Sequence, residues 1–328
     1  MAEIGELFAD VLRPRWVSGL NKVTSPIVDG VDAWLASGNF SWLPMLTGVV
    51  QLGTSAATES LAEAMANEIA RFSCATYESL LDAVPGDHSD RALGWALVRY
   101  YYATFYAAHA LLRISGKSVT MISQQTATLL NSVGGQYLGV SPGVVSGLHL
   151  VEMDSTNGHR ALIRKIGSNN GGSHEEMWKL FLQLLIELED QLILTQGRSQ
   201  DALDAVDILT ELRKQLCRRG KNNGAWLSSV RNELNYRQEH GVWYPYKVTD
   251  KAATALFSRM QRWVPNAADG YEIGKVKDDL GCFVDSCNVL TRLLTAALCD
   301  LSGRAVRARS SFVDRKPFKL LRLRNIAI

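Results

Sequence analysis

The chain has 328 residues, 47 % of them hydrophobic and 21 % charged, with a formal net charge of +2. That length can bury one large core or two modest ones, and the composition is that of an ordinary globular protein. The near-neutral total excludes a partner chosen by bulk charge, but the charge is uneven. Eight basic residues (Arg304, Arg307, Arg309, Arg315, Lys316, Lys319, Arg322 and Arg324) stand against Asp314 alone, so residues 304–328 carry +7 and the first 303 carry −5. A basic tail on a slightly acidic body points to nucleic acid, an acidic partner or a membrane surface.

Residues 1–54 are rich in Trp, Gly and Pro, and read as an extension of short helices and loops packed on the main body. Their start lacks the charged-then-apolar pattern of a signal peptide. The most apolar early stretch, Leu43 to Leu52, is about half the length that spans a bilayer. From residue 55 to 83, Leu61, Met65, Ile69, Phe72, Tyr77, Leu80 and Leu81 follow the three-and-four spacing of a helix with one buried face. Pro85-Gly86-Asp87 stops it, and Asp90 caps the next helix, which is apolar on nearly all sides and ends at Gly116. A shorter helix is expected over Ser123 to Ser132.

Residues 133–172 differ. Gly134-Gly135, Pro142-Gly143 and Gly171-Gly172 punctuate them, and Ala161 to Ile166 reads as a short strand. This stretch is expected to be a loop-rich insertion between bundle helices. The run at 167–172 lacks the Gly-Lys-Ser/Thr ending of a phosphate loop and reads as a connector. Ser173 with Glu176 forms a capping box for a helix to about Leu194. Helices follow at about 200–218, 225–239, 250–263 and 276–301, with Pro265 and Asn266 separating the last two. The fold expected is all-α, a helical bundle over 55–303 with a basic tail at 304–328. Removing that tail is expected to leave the bundle folded, because its charge density resists burial.

The five cysteines, Cys74, Cys217, Cys282, Cys287 and Cys299, form no CxxC pair and are odd in number. They read as reduced thiols of a cytoplasmic protein; no metal, cofactor or membrane is expected.

Two segments carry the functional reading. The first is Tyr100-Tyr101-Tyr102-Ala103-Thr104-Phe105-Tyr106-Ala107-Ala108-His109-Ala110-Leu111-Leu112. The second is Val230-Arg231-Asn232-Glu233-Leu234-Asn235-Tyr236. Small residues at 103, 107, 108 and 110 would let helices approach closely. In this order the pair resembles the HEPN superfamily of helical domains. The resemblance implies a bundle that binds RNA, often as a dimer, and in many members cleaves it without a metal in bacterial defence or toxin-like systems. Other members only dimerise or hold a partner subunit.

In active members an arginine, often followed by a polar residue, is followed after four to six intervening residues by a histidine. A guanidinium holds the charge that builds on phosphorus when the 2′-OH attacks, and an imidazole moves the proton. Arg231 and Asn232 match the start of this motif, but the next histidine is His240. On a continuous helix nine residues turn about 900°, so His240 would point away from Arg231. Three readings stay open. Gly241 lets the chain turn so that His240 swings back; or Tyr236 takes the histidine's place; or Arg231 is structural and the domain only binds. Of the remaining histidines, His109 reads as a core residue, and His149, His159 and His174 have no evident partner. Arg213, Lys214, Arg218, Arg219 and Lys221 precede the motif helix and could guide a phosphate backbone, as could the tail. Trp226, Trp243 and Tyr244 could stack on bases or pack.

Overall fold

The computed structural model describes residues 2–24, 29–54, 58–83, 93–154, 159–167, 172–196, 199–265, 267, 269–307 and 309–328. The Pro85-Gly86-Asp87 stop, the Asp90 cap, Asn266 and most of the 167–172 run lie outside the described residues.

The helices expected from periodicity are present: α3 (Thr58–Leu81), α4 (Leu93–Ile114), α5 (Gln124–Leu138), α6 (Ser173–Gln196), α7 (Gln200–Leu216), α8 (Trp226–Tyr236), α9 (Asp250–Met260) and α10 (Asp279–Gly303). They are preceded by α1 (Ala2–Leu12) and the short α2 (Val31–Ser37). Helix α4 is the axle, with α3, α6, α8 and α10 packed around it. It carries no acidic residue and buries all but a narrow stripe of its surface, as its all-round apolar sequence requires. Gly116 closes it at φ +78°, a conformation that costs glycine little. Of the described helices, α10 alone is long and apolar enough to cross a bilayer, and 89 % of that apolar window is buried against other elements.

The expected all-α class is corrected by an antiparallel five-stranded sheet. Its strands are β1 (Ser41–Trp42), β2 (Val50–Gly53), β3 (Lys117–Ile122), β4 (Gly147–Met153) and β5 (Arg160–Lys165), in the order β1-β2-β5-β4-β3. The N-terminal region and the supposed insertion are thus two parts of one sheet, with Leu52 opposite Ala161 and Val151 opposite Ile163. The sheet escaped the sequence pattern because its buried positions are not all apolar. Ser118 and Thr120, both buried, lie two apart on β3; Ser118 Oγ donates to Glu68 at 3.0 Å and pairs with Thr120 Oγ1 at 2.8 Å. A strand whose inward face carries hydroxyls shows no hydrophobic alternation.

The basic tail is also not a loose appendage. It forms α11 (Phe312–Arg315) and α12 (Pro317–Leu323), which pack on α3. Phe312, Val313, Phe318 and Leu321 are buried while Arg315, Lys316, Lys319 and Arg322 are exposed. The charges occupy the outer face of a short amphipathic pair, so charge density alone misjudged the segment. Leu320 is half-buried, and Leu323 is exposed.

Removing residues 311–328 is therefore expected to destabilise the whole protein. Phe318→Ala alone should cost about 3–5 kcal/mol in urea denaturation, the range for a buried aromatic side chain. A deletion with unchanged midpoint would mean that this docking contributes nothing.

Candidate functional site

Helix α8 packs on α4, and this contact brings the two motif segments together. Arg231 is 7 % exposed. Its guanidinium lies over the rings of Tyr101 at 5.2 Å, Tyr102 at 5.7 Å and Tyr236 at 5.8 Å. Its side chain hydrogen-bonds the Tyr101 hydroxyl and, at a long 3.5 Å, the Tyr236 hydroxyl, while its Nε has no partner. No carboxylate of the described residues lies within ion-pair range of it. Three ring faces attract a cation by about 0.5–2 kcal/mol each. Their sum is of the order of the several kcal/mol that desolvating a guanidinium costs, and it leaves the positive charge without a counter-ion, so the site favours an incoming anion.

The structure adds a residue the sequence left without a partner. His174, on the first turn of α6, places Nδ1 at 2.8 Å from the Tyr101 hydroxyl and stacks on Phe105 at 4.1 Å. Trp178 Nε1 donates to the same Tyr101 oxygen at 3.2 Å, and the Ser228 side chain also bonds it. The His174 tautomer sets the direction of its bond: with Nδ1–H donating to Tyr101 the lone pair lies on Nε2, and with the Tyr101 hydroxyl donating to Nδ1 the proton lies on Nε2. Burial, then the charge of Arg231, push His174 down to about 4. Burial likewise lifts the Tyr101 phenol, against the pull of Ser228, Trp178 and Arg231. His109, one helical turn beyond Phe105 on α4, is held well below the usual histidine range by burial, Arg113 and His174.

The other motif residues are distributed as follows. Tyr236 shares the site, its ring 71 % exposed. Asn232 is exposed, about 100° around the helix from Arg231. Helix α8 ends at Tyr236, and left-handed Gln238 (φ 53°) and His240 (φ 68°) do turn the chain back. The turn delivers His240 to Glu233, with Nε2 2.9 Å from the carboxylate, and not to Arg231. Glu233, Glu239 and His240 have ligand atoms within 4.8 Å of one another, a set that could hold a cation. Arg219 and Arg237 already neutralise those carboxylates at 3.4 and 3.8 Å.

The basic cluster before α8 is largely committed within the protein. Arg213 pairs with Glu189 at 3.1 Å, Lys214 with Glu211 at 3.6 Å and Arg218 with Asp279 at 3.0 Å, and Arg219 also pairs with Asp279. Lys221 is exposed. In the tail, Arg304 pairs with Asp300 at 2.7 Å and Arg322 with Asp314 at 3.6 Å, while Arg307, Arg309, Lys319 and Arg324 are exposed. Trp226 is fully buried, and Trp243 packs against Gly94 and donates to the Leu234 carbonyl at 2.7 Å.

No protein-family model, curated protein or solved structure matches this chain.

A histidine whose folded value lies below its unfolded value binds fewer protons folded than unfolded. Its contribution to stability is complete above about pH 6.5 and is lost as pH falls toward 4. His109 acts in the same direction. The thermal midpoint is expected to fall between pH 7 and pH 5, and to fall less in His174→Phe. Equal losses in the two proteins would show that His174 does not titrate in this window.

Proposed function

We propose that the chain is a HEPN-like RNA-binding protein whose Arg231 holds a backbone phosphate, and that it is a metal-independent endoribonuclease of a bacterial defence or toxin-like system. The observation that carries this reading is a buried guanidinium with no ion-pairing carboxylate among the described residues, set beside an imidazole that shares Tyr101 with it. A phosphate supplies the missing charge and accepts from two guanidinium N–H groups at once.

The chemistry follows from the groups at hand. As its Nδ1–H tautomer, His174 takes the proton of the ribose 2′-OH on Nε2, the 2′ oxygen attacks phosphorus, and the bond from phosphorus to the 5′ oxygen breaks. Arg231 stabilises the charge on the phosphoryl oxygens. Tyr236, whose hydroxyl lies at Arg231, hands a proton to the departing 5′ oxygen. A phosphate bound at Arg231 cancels the charge that, after burial, depresses His174, favours the imidazolium and raises the histidine toward its ordinary range. The resemblance that motivates this reading places the histidine on the motif helix; here it would come from α6. It also implies a second copy or a defence-system partner, and a cytoplasmic setting.

A non-catalytic HEPN-like subunit is the second reading. It is favoured by the hydrogen bonding of His174 into the Tyr101–Trp178 network, which is how a structural histidine is held. Cleavage of labelled RNA separates the two. Arg231→Ala should lower the rate by about 10²–10³, the loss of one contact to developing charge. His174→Ala should cost about 10²–10⁴, and Tyr236→Phe less, with no effect of EDTA. His240→Ala should retain activity. If the purified protein cleaves no RNA, alone or with its natural partner, the catalytic reading fails, and Arg231→Ala then tests assembly.

A further inference from the structure

Helix α4 leaves one narrow stripe uncovered, and it is aromatic. Trp95, Arg99, Tyr102 and Tyr106 follow each other at spacings of four, three and four, so they lie on one face. Trp95 is 56 % exposed, Arg99 is exposed, and Tyr102 and Tyr106 are half-buried. Tyr102 and Tyr106 pack one side on the core, against Tyr101 and Phe72, and leave part of each ring at the surface beside the more exposed Trp95. Two further rings extend the surface from the α8 side. Tyr236 stands over Arg231, and Tyr244 is 85 % exposed directly after Trp243, whose ring meets Trp95 edge-on at 5.4 Å.

The charge of this surface selects among occupants. Helix α4 has no acidic residue, and the buried cation Arg231 lies over Tyr102 at its middle. An apolar protein face would cover the rings but leave Arg231 without a counter-charge. A chain that alternates flat aromatic groups with anions meets both demands. Single-stranded nucleic acid is such a chain, because each base offers a π face and each linkage a phosphate.

We infer that the Trp95–Tyr102–Tyr106 stripe is a stacking platform for the bases of a single-stranded RNA on either side of the phosphate held by Arg231. This rests on the proposed phosphate site and adds the substrate class: unpaired RNA, bound with little preference for sequence. A duplex keeps its bases stacked on one another and cannot use the stripe.

The test uses the full chain and fluorescence anisotropy with three probes: a labelled oligouridylate, the same oligomer annealed to its complement, and inorganic polyphosphate as competitor. Trp95→Ala and Tyr106→Ala should each weaken oligouridylate binding about ten-fold, the middle of the range for one lost stacking partner. Trp95→Phe and Tyr106→Phe, which keep a ring, should restore most of it. Polyphosphate competition should survive Trp95→Ala and be lost in Arg231→Met. Circular dichroism and the thermal midpoint check that each variant folds; Trp95 is exposed enough that its removal should leave both unchanged. If Arg231→Met affects neither ligand, the phosphate site itself fails. If Arg231→Met abolishes binding while both alanine variants keep wild-type affinity, the platform alone is overturned. The platform is likewise overturned if the duplex binds as well as the single strand. It is overturned too if Trp95→Ala turns a dimer into a monomer with RNA affinity unchanged, for the stripe would then be an interface between copies.

Discussion

The fold hangs on one buried ion pair. Arg113 near the end of α4 is 3 % exposed and donates through Nε to Glu68 of α3 at 2.5 Å. The same carboxylate accepts from the Val31 backbone N–H at the start of α2 at 2.8 Å and from Ser118 of β3. The guanidinium continues to the Val119 carbonyl at 2.9 Å. Burial pushes the Glu68 carboxyl up, but Arg113, Val31 and Ser118 together hold it below its ordinary range. A buried pair gains over its desolvation only when the remaining lone pairs and protons are satisfied. Here they are satisfied by two helices and a strand, so the pair fixes where the sheet meets the bundle. Gly30 belongs to this arrangement: a Cβ there would stand 2.6 Å from Glu68 Oε1.

The two buried arginines on this side of α4 form a contrast. Arg113 has a carboxylate, a carbonyl and the His109 imidazole around it. Arg231 has rings, the hydroxyls of Tyr101 and Tyr236, and an Nε with no partner. Between them runs an unbroken series of contacts, from Arg113 to His109 at 3.0 Å, His109 to Phe105 at 4.6 Å, and Phe105 to His174 at 4.1 Å. Both histidines are kept neutral by their surroundings. Among the described residues no carboxylate bonds to this column after Glu68. The chain has therefore spent its carboxylate where structure needs it and left the far end electropositive, which is the electrostatic condition for taking an anion from solution.

Helix positions were legible in the sequence because core helices such as α3 and α10 repeat their apolar residues at the helical period; the N-caps Ser123, Ser199 and Thr249 are additions of the structure. The sheet was legible only at β5. The buried face of β3 is polar, and β2 and β5 pair across a sequence separation that no local pattern can express. The tail was misread because Phe312, Phe318 and Leu321 are too few to outweigh its basic residues in composition, yet enough to dock two short helices. At the site, Arg231 and the α4 aromatics could be found from the motif, since each lies within one helix. His174 could not, because it is joined to Arg231 only through Tyr101 and the packing of α6 on α4. The nine-residue spacing to His240 argued against a shared face only for a continuous helix; the helix ends at Tyr236, and the turn after it sends that histidine to Glu233.

The arrangement of α3 bears on the two basic regions. Phe72 and Thr76, one turn apart, face α4: Phe72 stacks on His109 at 4.8 Å and Thr76 Oγ1 donates to the Ala103 carbonyl at 3.2 Å. Cys74 lies about 200° around the helix from both, and there it is near Lys316, whose charge opposes the burial that lifts the thiol to about 11. The tail therefore docks on the side of α3 opposite α4, and the full thickness of α3 and α4 stands between its exposed basic residues and the face α4 turns to α8. A helix with its side chains is about 10–12 Å across, and at physiological ionic strength exposed charges are screened beyond about 8 Å. The tail can thus add little to the field at Arg231. Whatever anion the tail attracts is bound on a separate face, and affinity at the α4–α8 face has to come from Arg231 and the rings around it.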